Sequence, residues 1–295
     1  MNVLVTGSAG FVGRELVQLL QASGHFVIGL DRRPDRHADL PLRHDLRDPI
    51  PVERRAELIA RAPEVCIHLA SAVGGFLYNL SRSQLPAIQA AIDETVIDLC
   101  NACRCQRLIF TSTINVFEAT PTFHHGPLRE LDQRSPYAIA KAAAERRLAG
   151  AFQHYTVVRP TNIYGKRQSR RHSAYGESHV IPDLLRKLEH TGELEVFGDG
   201  SQRRNFVHVS DVSSFIAGQL DARGARYLNL RSELSLSIGE LAQRLIALRD
   251  PRRPLSFRKE FMQHELFALP DFDSSPAAEQ GWAPRVQSLA EGLSR

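Results

Sequence analysis

Short apolar runs alternate with helix-length segments through the first half of the chain. Val3–Val5 reads as a strand, followed by a helical stretch from Phe11 to Ala22 and a second strand at His25–Leu30. Glu53–Arg61 reads as helix, Val65–Leu69 as a short buried strand and Ala87–Cys103 as a long helix. Strand Arg107–Thr111, helix Tyr137–Ala149 and strand Tyr155–Arg159 continue the pattern. Strands that recur with helices between them predict an α/β fold, a doubly wound parallel sheet covered by helices on both faces. Breakers fall where such a fold turns, at Gly24, Pro49, Pro51, Pro63 and Pro136.

After Arg159 the pattern loosens. Residues 160–200 hold a basic loop, a helix around Ile181–His190 and a turn at Gly198–Gly200; Ile238–Leu248 is the clearest later helix. A smaller C-terminal α/β lobe is expected there, stitched back into the sheet by a strand near Tyr227–Leu230. There is no internal repeat, coiled coil or low-complexity tract.

The 295 residues suffice for a full core, and 43% apolar with 24% charged residues is ordinary globular composition. Met1 leads straight into a strand-like run, with no basic segment, long apolar stretch and cleavage site, so no signal peptide is expected. No apolar run reaches the roughly eighteen residues of a membrane span, and a soluble cytoplasmic protein is the expectation. A net charge of +4 suits an anionic small molecule and is too scattered to argue for nucleic acid. The densest basic stretch, Lys166, Arg167, Arg170 and Arg171, reads equally as a phosphate contact or a solvated loop. Cys66, Cys100, Cys103 and Cys105 lack the partners of a zinc site and read as buried thiols in a reducing compartment; no metal is expected.

Glycine recurs in Thr6-Gly7-Ser8-Ala9-Gly10-Phe11-Val12-Gly13, between the first strand and the first helix. In a dinucleotide site Gly7 makes the tight turn, Gly10 admits a pyrophosphate and Gly13 lets helix and strand pack closely. The helix N-terminus, from Ala9 through Phe11 and Val12, offers N–H donors and a positive dipole end. Asp31 ends the second strand, where a carboxylate accepts both ribose hydroxyls of NAD and repels the 2′-phosphate of NADP. Arg32 and Arg33 follow, and an arginine there accommodates that phosphate; NAD is the preferred reading, with NADP left open. Asp45-Leu46 would meet the adenine, and His68-Leu69-Ala70-Ser71 ends a buried strand beside the cofactor.

Tyr137 and Lys141 lie four residues apart, hence on one helix face. A phenol ordinarily titrates at about 10, and a neighbouring ammonium favours the phenolate, which suits Tyr137 as a general base. Tyr-x-x-x-Lys recurs by chance as a surface pair, so the spacing alone is weak. Phe110-Thr111-Ser112-Thr113 ends a strand with hydroxyls that would polarise the same oxygen.

With these stand Tyr137-Ala138-Ile139-Ala140-Lys141, Arg159-Pro160-Thr161-Asn162-Ile163-Tyr164-Gly165, Gly198-Asp199-Gly200 leading to Arg204-Asn205-Phe206-Val207-His208-Val209, and Gln280-Gly281-Trp282-Ala283-Pro284. Together they resemble the extended short-chain dehydrogenase/reductase family of nucleotide-sugar epimerases, dehydratases and reductases. The resemblance spans nearly the whole chain. It implies a Rossmann-type dinucleotide domain over residues 1–165, with a returning segment near 205–232, and a mainly substrate-binding lobe over 166–295. It also implies Tyr137 as base, Lys141 as its partner on the nicotinamide ribose, and Thr113 as the catalytic hydroxyl, with Ser112 in reserve. Asn162 and Arg204 match positions that contact the substrate nucleotide and diphosphate, and a homodimer is usual in the family.

Departures narrow the chemistry. The acid–base pair of the dehydratases falls on Ile114 and Asn115, which disfavours dehydration and decarboxylation. Val73-Gly74-Gly75 and Ser178-His179-Val180-Ile181-Pro182 resemble GDP-fucose synthase-type enzymes, yet their cysteine position is Asn115; His179 reads equally as a catalytic match or a substrate-loop hydrogen bonder. The stretch Gln89–Ile92 lacks the asparagine common near the nicotinamide. The resulting expectation is an NAD-dependent epimerase of a nucleotide-diphosphate sugar that works through a 4-keto intermediate. The alternatives are an NAD(P)H-dependent reductase of a 4-keto-6-deoxy sugar and a non-catalytic dinucleotide sensor, the latter disfavoured by the intact Thr113, Tyr137 and Lys141.

Overall fold

Alternation along each central strand divides the apolar side chains between two cores, one on either face of the sheet. In chain order the elements are β1 (Asn2–Thr6), α1 (Phe11–Ala22), β2 (Phe26–Asp31), β3 (Leu40–Arg43), α2 (Val52–Arg61), β4 (Val65–His68), α3 (Phe76–Ser81) and α4 (Leu85–Cys103). There follow β5 (Arg107–Thr111), a 3-10 turn (Ile114–Phe117), α5 (Pro136–Ala151), β6 (His154–Pro160), β7 (Asn162–Tyr164), α6 (Val180–His190) and β8 (Leu194–Phe197). The chain continues with β9 (Arg203–His208), α7 (Val209–Ala217), β10 (Ala225–Leu230), β11 (Ser235–Ser237), α8 (Ile238–Arg249), β12 (Leu255–Arg258), α9 (Ser275–Ala278) and α10 (Leu289–Ser294). The computed structural model describes residues 1–118, 123–128, 133, 135–166, 178–258 and 274–294.

Seven strands pair in the order β10-β6-β5-β4-β1-β2-β3. Every neighbour is parallel, as the β-α alternation predicts. Val3 and Val5 of β1, Val65 and Ile67 of β4 and Ile109 of β5 point to the core under α1 and α7. Leu4, Cys66, Leu108 and Phe110 alternate with them and join the core under α2, α4 and α5. From β1 the chain fills the sheet one way through β2 and β3, then the other way through β4, β5 and β6. Such a reversal opens a crevice at the carboxyl ends of β1 and β4, where ligands of this architecture sit.

A third core gathers Tyr164, Phe206, α6, α8 and α10, with Leu194 and Val196 of β8. It rests on two small sheets, β11-β9-β7 and β12-β8. The expected strand near Tyr227–Leu230 is β10, and it does return to the large sheet beside β6. Tyr164 donates to the Ser288 carbonyl at 3.0 Å, and His208 Nε2 lies 3.1 Å from the Gly292 carbonyl, which fastens α10 to β7 and β9. A Cβ on Gly292 would fall 2.5 Å from the Tyr164 hydroxyl, so only glycine fits.

Helix α5 carries the densest buried charge. Arg159 of β6 donates to both Glu145 oxygens at 2.9 and 2.6 Å, and both side chains are buried. The same guanidinium bonds the carbonyls of His124 and Gly126 and lies over the rings of Phe117 and Tyr227. Breaking a buried pair strands one charge in a dry interior. Glu145→Gln is expected to cost about 3–5 kcal/mol, read as a lower urea midpoint with an unchanged slope.

Candidate functional site

The crevice at the sheet's reversal is floored by the glycine turn. Gly7 sits at φ +74°, and a Cβ there would lie 2.8 Å from the Ala70 nitrogen, so the turn after β1 presses directly on the turn after β4. At Gly13 a Cβ would come within 2.2 Å of the Gly7 carbonyl, which seats α1 against the turn. Helix α1 begins at Gly10 with no side chain capping it, so its first-turn N–H groups, at Phe11, Val12 and Gly13, face the crevice at the positive end of the helix. An uncapped helix start behind a glycine turn is what a pyrophosphate needs.

Asp31, at the end of β2, is buried beside this turn. Its Oδ2 accepts from Ala9 N at 3.1 Å and its Oδ1 from Arg33 N at 2.8 Å, with Arg33 Nε at 3.4 Å. The carboxylate is therefore fixed against the glycine turn at the place where a ribose would lie. Arg32, Arg43, His44, Asp45 and Arg54 edge a surface cleft of about 820 Å³ nearby. Asp45 is gripped by Arg47 at 2.7 and 3.0 Å, and these hydrogen bonds hold its carboxyl below the usual range. Leu46 packs into the core with Leu42 and Leu58, so only its backbone faces outward. Leu69 and Ala70 pack against opposite cores. Ser71 donates to Gln89 Oε1 at 2.8 Å. Around the crevice the donor and acceptor set fits a dinucleotide such as NAD.

The second wall is the start of α5. Ser135 caps the helix by accepting from Ala138 N, Pro136 supplies the first turn, and Glu118 in turn holds the Ser135 hydroxyl at 2.8 Å. This cap places Tyr137 in the first turn and Lys141 one turn on. Thr113 caps the 3-10 turn, accepting from Asn115 N at 3.3 Å. Lys141 Nζ donates to the Thr111 carbonyl at 2.9 Å and lies 4.7 Å from the Phe110 ring centre. Burial pushes the Tyr137 phenol up to about 12, and the Thr113 hydroxyl works against that rise. Burial pushes Lys141 down to about 8, opposed by the charges of Asp93 and Glu145. Ser112, the reserve hydroxyl, is buried with no hydrogen-bond partner for its Oγ.

The expected substrate contacts lie on the third core. Asn162 of β7 and Arg204 of β9 stand on adjacent strands, with Asn162 opposite Phe206. Asn162 Nδ2 donates to the Asn205 carbonyl at 3.0 Å, and Arg204 Nη1 to the Arg203 carbonyl at 2.9 Å. His179 is the residue before α6 and does not cap it, while Val180 begins the helix and packs on the core. Lys166 of the basic stretch bonds the Ser294 carbonyl; Arg167, Arg170 and Arg171 lie outside the described residues. Cys66, Cys100 and Cys103 are buried and Cys105 partly so, and burial pushes the Cys103 thiol up to about 11. Among the described residues no group of three or more side chains could hold a metal, and no helix is long and apolar enough to cross a membrane.

One part of the site escaped the sequence. Gln89 and Asp93 share a face of α4 and are buried, and Asp93 lies against His68 of β4. The available signal was two polar residues four apart in the stripe that carries Ile92, Val96 and Leu99.

The profile of the NAD dependent epimerase/dehydratase family matches residues 3–227. A UDP-glucose 4-epimerase of Mycolicibacterium smegmatis is 30% identical, covering 100% of this chain and 97% of the relative. A dTDP-4-dehydro-6-deoxy-D-allose reductase of a Streptomyces species is 29% identical, covering 93% and 92%. The crystal structure of UDP-glucose 4-epimerase from Thermotoga maritima, with UDP-glucose, superposes with a TM-score of 0.81 at 26% identity, covering 99% of this chain and 96% of that one. With the glycine turn, the sheet reversal and the match over most of its length in agreement, the chain belongs to the NAD dependent epimerase/dehydratase family.

Proposed function

We propose that this enzyme is an epimerase of a nucleotide-diphosphate sugar that oxidises C4 transiently and reduces the 4-keto sugar on its other face. The observation that carries this reading is the burial of Tyr137 and Lys141 one helical turn apart on α5, with Lys141 tied to the Thr111 carbonyl at the end of β5 and Thr113 capping the turn that follows. NAD, when bound, supplies the hydride acceptor and then the donor. Gly7, Gly10, Gly13 and the α1 N-terminus would hold its pyrophosphate, and Asp31 would hold its ribose. Tyr137 takes the 4-hydroxyl proton and later returns it, Thr113 holds the same oxygen, and the Lys141 charge favours the phenolate. Asn162 of β7 would face the nucleotide-sugar together with His179, Val180 and Arg204 of the lobe over residues 166–295.

Ile114 supports this choice of chemistry. It is buried with Val116, Phe117 and Ala142, and a hydrocarbon there supplies no acid for dehydration. The reductase among the relatives favours a second reading, stoichiometric use of NAD(P)H on a 4-keto-6-deoxy sugar. A cytoplasmic homodimer belongs to the same proposal and rests on the family likeness.

Incubation with UDP-, dTDP- and GDP-sugars is expected to yield the 4-epimer by NMR with no net change in nicotinamide absorbance; steady loss of that absorbance with a keto-sugar would point to the reductase instead. Tyr137→Phe is expected to lower kcat about 10²–10⁴-fold with its fold unchanged by circular dichroism, and a normal rate would remove the proposed base. Asp31→Ala deletes the repulsion toward a 2′-phosphate and releases Arg33. Calorimetry should show the preference for NAD over NADP narrowing by about tenfold or more, equivalent to about 1.4 kcal/mol.

A further inference from the structure

We propose that Cys100 and Cys105 form a reversible disulfide when the protein meets a hydroperoxide, a staple that locks the end of α4 onto the segment entering β5. All four cysteines of the chain gather in the core under α4: Cys66 from β4, Cys100 and Cys103 from the last turns of α4, and Cys105 packed against them from the following loop. The chemistry proposed at the cofactor crevice uses none of them.

One pair is held together by the backbone itself. Arg104 adopts φ +57° and ends the helix. Its N–H donates to the Asn101 carbonyl at 3.2 Å, and Cys105 N donates to the Cys100 carbonyl at 2.9 Å. These are the paired bonds of a Schellman motif, whose accompanying side-chain contact falls on the positions of Cys100 and Cys105. With standard bond lengths the second bond holds the two Cα atoms within about 6.8 Å, and a disulfide spans Cα separations of about 4.4–6.8 Å.

The two thiols differ in access. Cys100 is only 1% exposed, whereas Cys105 is partly exposed. Both line a surface cavity of about 440 Å³ at the amino ends of β5 and β6, the opposite end of the strands from the cofactor crevice. A hydroperoxide entering this cavity meets Cys105 first. The sulfur takes one peroxide oxygen, the O–O bond breaks, and hydrogen peroxide leaves a sulfenic acid and one water. Cys100 then attacks that sulfur, the S–O bond breaks, and the oxygen departs with the Cys100 proton as a second water. Two electrons have passed from the thiols to the peroxide, and a dithiol reductant returns them. The Cys100 thiol and burial push the Cys105 thiol far above its usual range, so thiolate is scarce and the oxidation takes hours rather than seconds.

Peptide mapping of the wild-type protein, held in millimolar hydrogen peroxide, tests the pair. Cleavage after Arg104 and Arg107 by trypsin puts Cys105 on the tripeptide Cys105-Gln106-Arg107, while Cys100 stays on the peptide that ends at Arg104. The expected product is this tripeptide cross-linked to Cys100, lighter by two hydrogens than the reduced pair and restored by dithiothreitol. Fragmentation between Cys100 and Cys103 identifies the partner. The oxidised protein should unfold at a higher urea concentration than the reduced one, and Cys105→Ser should lose that rise. A tripeptide linked to Cys103 or Cys66, oxidised to a sulfinic acid without a cross-link, or unchanged after a day would overturn the proposal. A urea midpoint that does not move on cross-linking, or that rises equally in Cys105→Ser, would overturn the staple.

Discussion

The arrangement of α5 follows from one electrostatic constraint: a lysine ammonium confined in a dry interface must have negative charge close by. Lys141 is only 3% exposed, and the helix is buried on several sides at once. Ala138, Ala140, Ala142 and Ala144 keep its surface thin, so α4, β5 and the 3-10 turn approach closely. That approach brings the Thr111 carbonyl to Lys141. The same closeness removes water, and so raises the phenol and lowers the amine together.

Much of this architecture is visible in the chain before any coordinates. Runs such as Val3–Val5 and Val65–Ile67 are apolar on both faces because both faces of a parallel sheet are covered, and that made the strands legible. Helix α1 occupies the predicted Phe11–Ala22 because the glycine turn marks its start and Gly24 its end. The lobe beyond Arg159 was much less legible. Strands β7, β8, β11 and β12 are three or four residues long, too short for a period, and their partners are distant in sequence. The third core draws on Tyr164, residues near 181–188 and residues near 289–293, an assembly that only long-range packing defines. Helix α3 and the 3-10 turn were missed for the same reason, being single short turns without periodicity.

In the candidate site, residue types were easier to read than their electrostatics. Spacing put Tyr137 and Lys141 on one face and suggested that the ammonium acidifies the phenol. Depth of burial, which no spacing reveals, is the larger influence on both groups. Asp93 carries no local signal in the sequence, because its partners come from β4 and from the next helix, far along the chain. The position of Asp31 was legible because it depends on a strand end and a glycine turn, both local features.

The fastening of α10 has a consequence for the order in which the molecule is made. Leu289 and Leu293 complete the third core, and the Ser288 and Gly292 carbonyls tie down Tyr164 and His208. The strands from β1 to β6 emerge from the ribosome with most of their helices and can assemble while synthesis continues. The core beneath β7 and β9 cannot close until residues some 120 positions later are available. During that interval the nascent chain would display an apolar lobe that still lacks its last helix.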